Sequence, residues 1–269
     1  MMIPVYPNYL YLVISLIVSI IPAASKGQVL PDIEKQIIFL NEDKELRFLL
    51  PDSVNLVYPV YENSDQLKKL LPVKYKASKR FPSQSLPDSL KLGCNYISLK
   101  KIPQDSVFQS YNILSEYKTV YQIVIKRHDG YLGYLEELLN VPFVLPPRRL
   151  PNRLHQTDIR LGVDCAELAI YGKRRQGYNI PYGGPRGIVK YLEKTKKAER
   201  GVIVHFRHQV SVIYEDNGSR GLLDKEDILI HAYKDKAELI RFGDTDLYGY
   251  PYTLYKWKSQ CDTPSTPPK

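Results

Sequence analysis

The sequence predicts an α+β fold, in which a helix packs on an antiparallel sheet and a small β-rich domain comes before this unit. Apolar residues recur at helical spacing over residues 165–172, directly after a turn that holds Gly162 and Asp164. Short alternating segments follow between residues 202 and 257, which is typical of neighbouring antiparallel strands. Similar segments occupy residues 28–126, so we expect a second β-rich region there.

The N-terminal half is read in order as strands at residues 36–40, 45–50, 54–61 and 121–125, with a short helical piece at 64–71. Residues 74–87 carry lysines, serines and prolines and are predicted to form an exposed loop. We therefore expect a β-rich N-terminal domain of unknown role over residues 28–127.

The C-terminal half is predicted to begin with helices and to continue with strands. The predicted helices cover residues 131–139, 165–176 and 187–195, and the predicted strands cover 202–206, 210–214, 228–232, 238–242 and 253–257. A proline-rich flexible tail is expected over residues 261–269, so this second domain spans residues 128–260.

Cys165 is the leading candidate nucleophile. It would occupy the first turn of its helix, where unpaired backbone N–H groups and the helix dipole favour thiolate over thiol. A general base is also required, and His208 and His231 each belong to a predicted strand. The hairpin signal at residues 216–218 would bring those strands side by side. The alternative is that Cys165 is a small buried core residue.

These segments together resemble the NlpC-type cell-wall cysteine peptidases, which have a papain-like superfold. The resemblance rests, in order, on a helix with a following apolar segment, the nucleophile motif and three strand motifs: residues 138–144, 164–168, 201–206, 208–214 and 230–232. It covers roughly residues 129–257 and implies a papain-like catalytic domain with Cys165, His208 and His231 as the catalytic residues. Cys165 would attack a carbonyl, His208 would carry the proton, and His231 would orient His208.

The same resemblance implies that an amide bond in peptidoglycan stem or cross-link peptides is cleaved, without a metal or an organic cofactor. The family positions that hold the substrate correspond to Phe143, Asp164 and Ala166, with Glu167 beside them. Phe143 and Ala166 replace a tyrosine and a serine of the family pattern. The chemistry is therefore better supported than the choice of substrate.

The apolar segment near the N-terminus predicts that the protein is exported. An apolar run over residues 10–21 is followed by small residues up to Gly27, which is typical of a signal peptide over residues 1–27. The run is shorter than the ~20 residues that cross a bilayer comfortably, which favours cleavage over an uncleaved anchor. We expect a periplasmic or extracellular protein whose partner is peptidoglycan or another cell-envelope polymer.

Composition and residue spacing restrict the remaining kinds of partner and site: nucleic acids, metal ions and disulfides. The net charge of +9 favours polyanionic surfaces, but the chain has no zinc-finger spacing or other nucleic-acid module, so no specific nucleic-acid partner is expected. His205 and His208 would lie on opposite faces of a continuous strand, so no metal site is predicted. The three cysteines leave two arrangements open, a Cys94–Cys261 disulfide or three independent thiols.

Two other functions are compatible with the sequence. A transglutaminase-like enzyme would use an aspartate such as Asp224 as its third catalytic residue, although the histidine–tryptophan pattern of that family is absent. A non-catalytic cell-envelope binding module on the same fold would keep Cys165 as a core residue.

Overall fold

The computed structural model describes residues 37–41, 53–60, 73–82, 89–98, 100–110, 120–149 and 155–259. Within these residues the protein is α+β, with two six-stranded sheets and few helices, as the sequence predicts at this level. The predictions for residues 1–27, 45–50, 64–71 and 261–269 lie outside the described residues.

The first sheet is formed by the N-terminal half. Its strands are β1 (Ile37–Asn41), β2 (Ser53–Val60), β3 (Val73–Pro82), β4 (Gly93–Ser98), β5 (Val107–Ser110) and β6 (Val120–Lys126). They lie in the order β1-β6-β4-β2-β3-β5, and every pair is antiparallel except β1 with β6. The β-rich prediction for this half is therefore confirmed within the described residues.

Strand β3 corrects the predicted loop over residues 74–87. Lys74 and Lys76 alternate with Tyr75 and Ala77, so that the two apolar side chains are buried while Lys76 is exposed. This period of two is that of a half-buried strand, in which the lysines stand on the solvent face. The polar composition concealed the alternation.

Three helices follow, which we label α1 (Gly130–Glu136), α2 (Cys165–Arg175) and α3 (Pro185–Ile188). The first two confirm the predicted helices to within a few residues. The third prediction, over residues 187–195, was wrong: a 3₁₀ turn at Val189–Tyr191 leads into strand β7 (Leu192–Lys194). Because β7 pairs with the strand Thr253–Trp257, tertiary pairing overrides the local helical pattern.

The second sheet contains β7 and five further strands: β8 (Ile203–His205), β9 (Val210–Glu215), β10 (Ile228–Tyr233), β11 (Lys236–Arg241) and β12 (Thr253–Trp257). Their order is β11-β10-β9-β8-β12-β7, and all neighbours are antiparallel. Each of the five predicted C-terminal strands is present.

Alternation along these strands separates two apolar faces. One face packs against α2 in the main core and includes Val210, Val212, Ile230 and Ala232. The other carries Ile213 and belongs to a smaller core, together with Val204, Leu229 and Phe242. This division determines which polar side chains of the sheet can approach α2.

The main core also includes buried residues of the first sheet, such as Tyr96 and Val124. Two hydrogen bonds reinforce this contact, from Tyr96 Oη to the Arg160 carbonyl at 2.6 Å and from Gln122 Nε2 to the Ile159 carbonyl at 2.9 Å. The two halves of the described chain thus share one apolar core. Among the described helices, none has the length and apolarity that a membrane crossing needs.

Candidate functional site around Cys165

Helix α2 begins at Cys165 because Asp164 caps it. Asp164 has an extended backbone, and its Oδ1 accepts a hydrogen bond from the Glu167 N–H at 2.8 Å. Burial raises the pKa of the Asp164 carboxyl to about 6, although backbone N–H groups of the first turn act in the opposite direction. The predicted position of Cys165, at the helix start, is confirmed.

The Cys165 thiol is only 3% exposed and faces the start of β9. Burial, followed by the nearby Asp164 charge, raises its pKa to about 12, whereas hydrogen bonds from the backbone of Val210, Ala166 and Cys165 itself act to lower it. The resting group is therefore a neutral thiol. Backbone donors already surround the sulfur where negative charge would develop.

His208 lies in a tight turn rather than in a strand. The Phe206 N–H donates to the Gln209 carbonyl at 2.9 Å, so Arg207 and His208 form a two-residue connection between β8 and β9. Both residues are exposed, and β9 begins at Val210 instead of at His208. His208 thus lies two residues before β9, at the exposed tip of the turn.

His205 is the imidazole on the Cys165 face of this sheet. It lies directly opposite Val210, whose backbone bonds the thiol, and two residues after Ile203 of the main core. Because side chains alternate along β8, His205 shares the face of Ile203. Its Nε2 is 2.8 Å from the Pro185 carbonyl, which can only accept. In the neutral ring, Nε2 thus carries the hydrogen, and Nδ1 is free to accept a proton.

His231 lies on the other face of the sheet. Its neighbours Ile230 and Ala232 belong to the core that contains Cys165, whereas Leu229 belongs to the smaller core on the opposite face. His231 is only 2% exposed. Its Nε2 lies 3.8 Å from Glu238 Oε1, which is too long for a hydrogen bond. Burial lowers the pKa of His231, so the ring is neutral.

The three predicted catalytic residues are therefore not brought together. Within the part of the chain that the structure describes, neither His208 nor His231 forms a hydrogen bond or ion pair with Cys165. Gln209, which the sequence analysis did not single out, is buried and donates from Nε2 to the Ala232 carbonyl at 3.1 Å. Had a two-residue turn at residues 207–208 been recognised in the sequence, it would have predicted the strand positions of both Gln209 and His205.

The predicted substrate-binding positions lie mainly inside the fold. Ala166 and Asp164 are buried, and Phe143 is half-buried and bridges to Val163. Glu167 is also buried and accepts a hydrogen bond from Thr157 Oγ1 at 2.6 Å. Burial, followed by the Asp164 charge, raises the pKa of Glu167 to about 8, so this carboxyl is largely protonated at neutral pH.

Asp224, the aspartate of the transglutaminase-like alternative, belongs to the β9–β10 connection. Its carboxylate accepts from the backbone N–H groups of Ser219 at 2.7 Å and Glu226 at 2.9 Å, and these bonds lower its pKa. The carboxylate is thus engaged in forming the turn. No contact between it and the proposed base is present among the described side chains.

The described residues show neither a cluster of metal-binding side chains nor a disulfide. No group of three or more His, Cys, Asp and Glu side chains there is arranged to hold a metal ion. Cys94 is a free buried thiol, whose pKa is raised to about 12 mainly by burial, and Cys261 lies outside the described residues.

Comparison of the chain with protein-family models, curated proteins and solved structures found no match. The resemblance to NlpC-type peptidases therefore stays a prediction from the sequence motifs.

Proposed function

We propose that this chain is a cysteine hydrolase that cleaves an amide bond, with Cys165 as nucleophile and His205 as general base. The observation that carries the proposal is the position of the thiol, which lies at a capped helix start and receives backbone hydrogen bonds from Val210 and Ala166. Such donors stabilise the thiolate, which is the species that attacks a carbonyl. His205 in β8, opposite Val210, supplies an imidazole on the face of the sheet that packs against α2.

The chemistry follows from these groups. His205 Nδ1 takes the proton of the Cys165 thiol while the sulfur bonds to the amide carbon. The imidazolium then protonates the leaving nitrogen, the C–N bond breaks, and a thioester forms. Water hydrolyses the thioester with His205 again as base, which releases a carboxylic acid and restores the thiol.

Pro185 takes the orienting role in this scheme. Its carbonyl accepts from His205 Nε2 at 2.8 Å and so fixes which ring nitrogen is basic. The scheme requires neither His208 nor His231 for proton transfer. It also explains a raised thiol pKa, because the base removes the proton during attack and no resting thiolate is needed.

Cell-wall peptide is the proposed substrate class. The motifs around Cys165 that resemble NlpC-type peptidases support an amide of peptidoglycan stem or cross-link peptides, and the apolar segment before Gly27 supports an exported enzyme. The net charge of +9 suits an acidic envelope polymer as partner.

The decisive experiment uses residues 28–269 and peptidoglycan purified from the source cells. We expect mass spectrometry of the soluble fraction to show fragments with a new amine and a new carboxyl end, and the Cys165→Ala variant to release none. Equal release by the wild type and by Cys165→Ala would refute the assignment of the nucleophile.

A non-catalytic envelope-binding module is the second candidate, favoured by the 3% exposure of Cys165. In this alternative the thiol only accepts a hydrogen bond from the Val210 backbone at the start of β9. Cosedimentation with insoluble peptidoglycan distinguishes the two functions. Undiminished binding by Cys165→Ala, combined with no fragments from the wild type, would favour the binding module over the enzyme.

A further inference from the structure

We propose that the depression beside His205 is a subsite for an anionic oxygen group, a carboxylate or a phosphate, of the ligand. The depression has a volume of about 320 Å³ and is lined by residues 184–187 together with Arg207 and His208. That the depression lies next to the reacting groups rests on the proposed function, whereas its capacity to bind an anion does not.

The charge lining this depression is entirely basic. Arg186 lines it from the start of α3, and Arg207 and His208 line it from the β8–β9 turn. All three are exposed, and among the described residues none of them forms an ion pair or a hydrogen bond through its side chain. Two guanidinium groups with open donors match the fork geometry of a carboxylate or phosphate.

The glycines of this segment point to the same use. A Cβ atom added at Gly184 or Gly187, the glycines that line the depression, would meet no other atom within 4 Å, and neither has a positive φ. Neither packing nor backbone conformation therefore demands glycine there. The missing side chains keep the depression open and allow a ligand to approach the backbone closely.

Pro185 connects the depression to the proposed base. It lines the depression, and its carbonyl accepts the His205 Nε2 hydrogen. A ligand anchored by its anionic group on Arg186 and Arg207 would thus lie beside His205. We infer that substrates carry this group near the bond that is cleaved.

The test measures anion binding without catalysis, in residues 28–269 with Cys165→Ala. Sodium phosphate and sodium acetate are titrated separately at low ionic strength, and the arginine Nε–H and backbone amide resonances are followed by NMR. We expect saturable shifts at Arg186, Arg207 and Gly187 with at least one of the two anions. The anion that saturates them tells whether the group is a phosphate or a carboxylate.

Matched variants complete the design. Changing Arg186 and Arg207 to Gln should weaken binding by about tenfold or more, because two charge-assisted contacts are lost. Arg220→Gln, an exposed arginine in the β9–β10 connection, should leave the affinity unchanged. Linear shifts that appear equally at Arg220, or that sodium chloride reproduces, would overturn the subsite. Saturable anion binding by a protein without hydrolase activity would leave the subsite standing and refute only the proposed function.

Discussion

Replacing Glu137 by Ala tests the buried charge cluster that lies between the two halves of the protein. Glu137 is fully buried and accepts hydrogen bonds from Arg160 and from Tyr171 Oη, the latter at 2.5 Å. Arg175 Nε lies 3.3 Å and Lys126 Nζ 3.6 Å from the same carboxylate. Removing the carboxylate leaves the guanidinium of Arg160, in a residue that is 2% exposed, without its counter-charge.

The expected loss follows from this geometry. Breaking a buried ion pair by removing one partner costs roughly 3–5 kcal/mol, since the remaining charge stays desolvated. The Tyr171 hydroxyl also loses its acceptor, but water entering the vacated space offsets part of that loss, so we expect a total of about 4 kcal/mol. For a protein of this size the melting temperature should fall by about 8–16 °C. Urea denaturation followed by fluorescence, together with calorimetry, measures both quantities.

Two matched variants make the result specific. Glu199→Ala removes a glutamate whose side chain is 62% exposed and lies 4.0 Å from Lys197, so it should change the free energy of unfolding by less than about 0.5 kcal/mol. Combining Glu137→Met with Arg160→Met should recover part of the loss, because the deeply buried Arg160 charge is removed together with its partner. A change below about 1 kcal/mol in Glu137→Ala would refute the reasoning.

Four further outcomes are expected. Iodoacetamide should label native Cys165 slowly at pH 8, because a pKa of about 12 leaves roughly one thiol in ten thousand ionised, and fast labelling would contradict that state. His205→Ala should lower peptide release by about 10²–10⁴-fold, whereas His231→Ala should mainly lower stability, and the reverse result would restore His231 to the site. Because the pKa of Glu167 is raised to about 8, the folded state keeps a proton that the unfolded chain loses above about pH 4.5. The free energy of unfolding should therefore fall by on the order of 3 kcal/mol between pH 5 and 8.5. Urea titrations of Glu167→Gln at several pH values should show a smaller dependence on pH. Mass analysis of the protein from its native host should find a chain that begins near Gln28, and an intact N-terminus would indicate an anchor instead.

Local signals were sufficient for much of the C-terminal half. The turn that holds Gly162 and Asp164, and the helical spacing after it, predicted α2 to within one residue at its end. Alternation predicted β12 at Thr253–Trp257, and a short apolar segment predicted β10 at Ile228–Tyr233, which is buried on both faces. Where lysines occupied the solvent side, as in β3, composition outweighed alternation and the strand was missed.

The candidate site was harder to predict, because it depends on which face of a strand each side chain takes. A strand repeats every two residues, so a shift of one position moves a side chain to the opposite face. The β9–β10 pairing contains an irregularity between Ile228 and Leu229, and the β8–β9 turn begins after Phe206. These two features place His231 away from Cys165 and His205 towards it.

The sequence by itself determined the elements whose cause is local: the start of α2, the position of Cys165 in its first turn, and the alternating strands that follow. Tertiary structure alone decided the pairing of β7 with β12, the burial that raises the pKa values of Cys165 and Glu167, and the face of the sheet on which each histidine lies. The physical reason is that capping and periodicity act over a few residues. Desolvation and strand register depend on segments that meet only when the chain has folded.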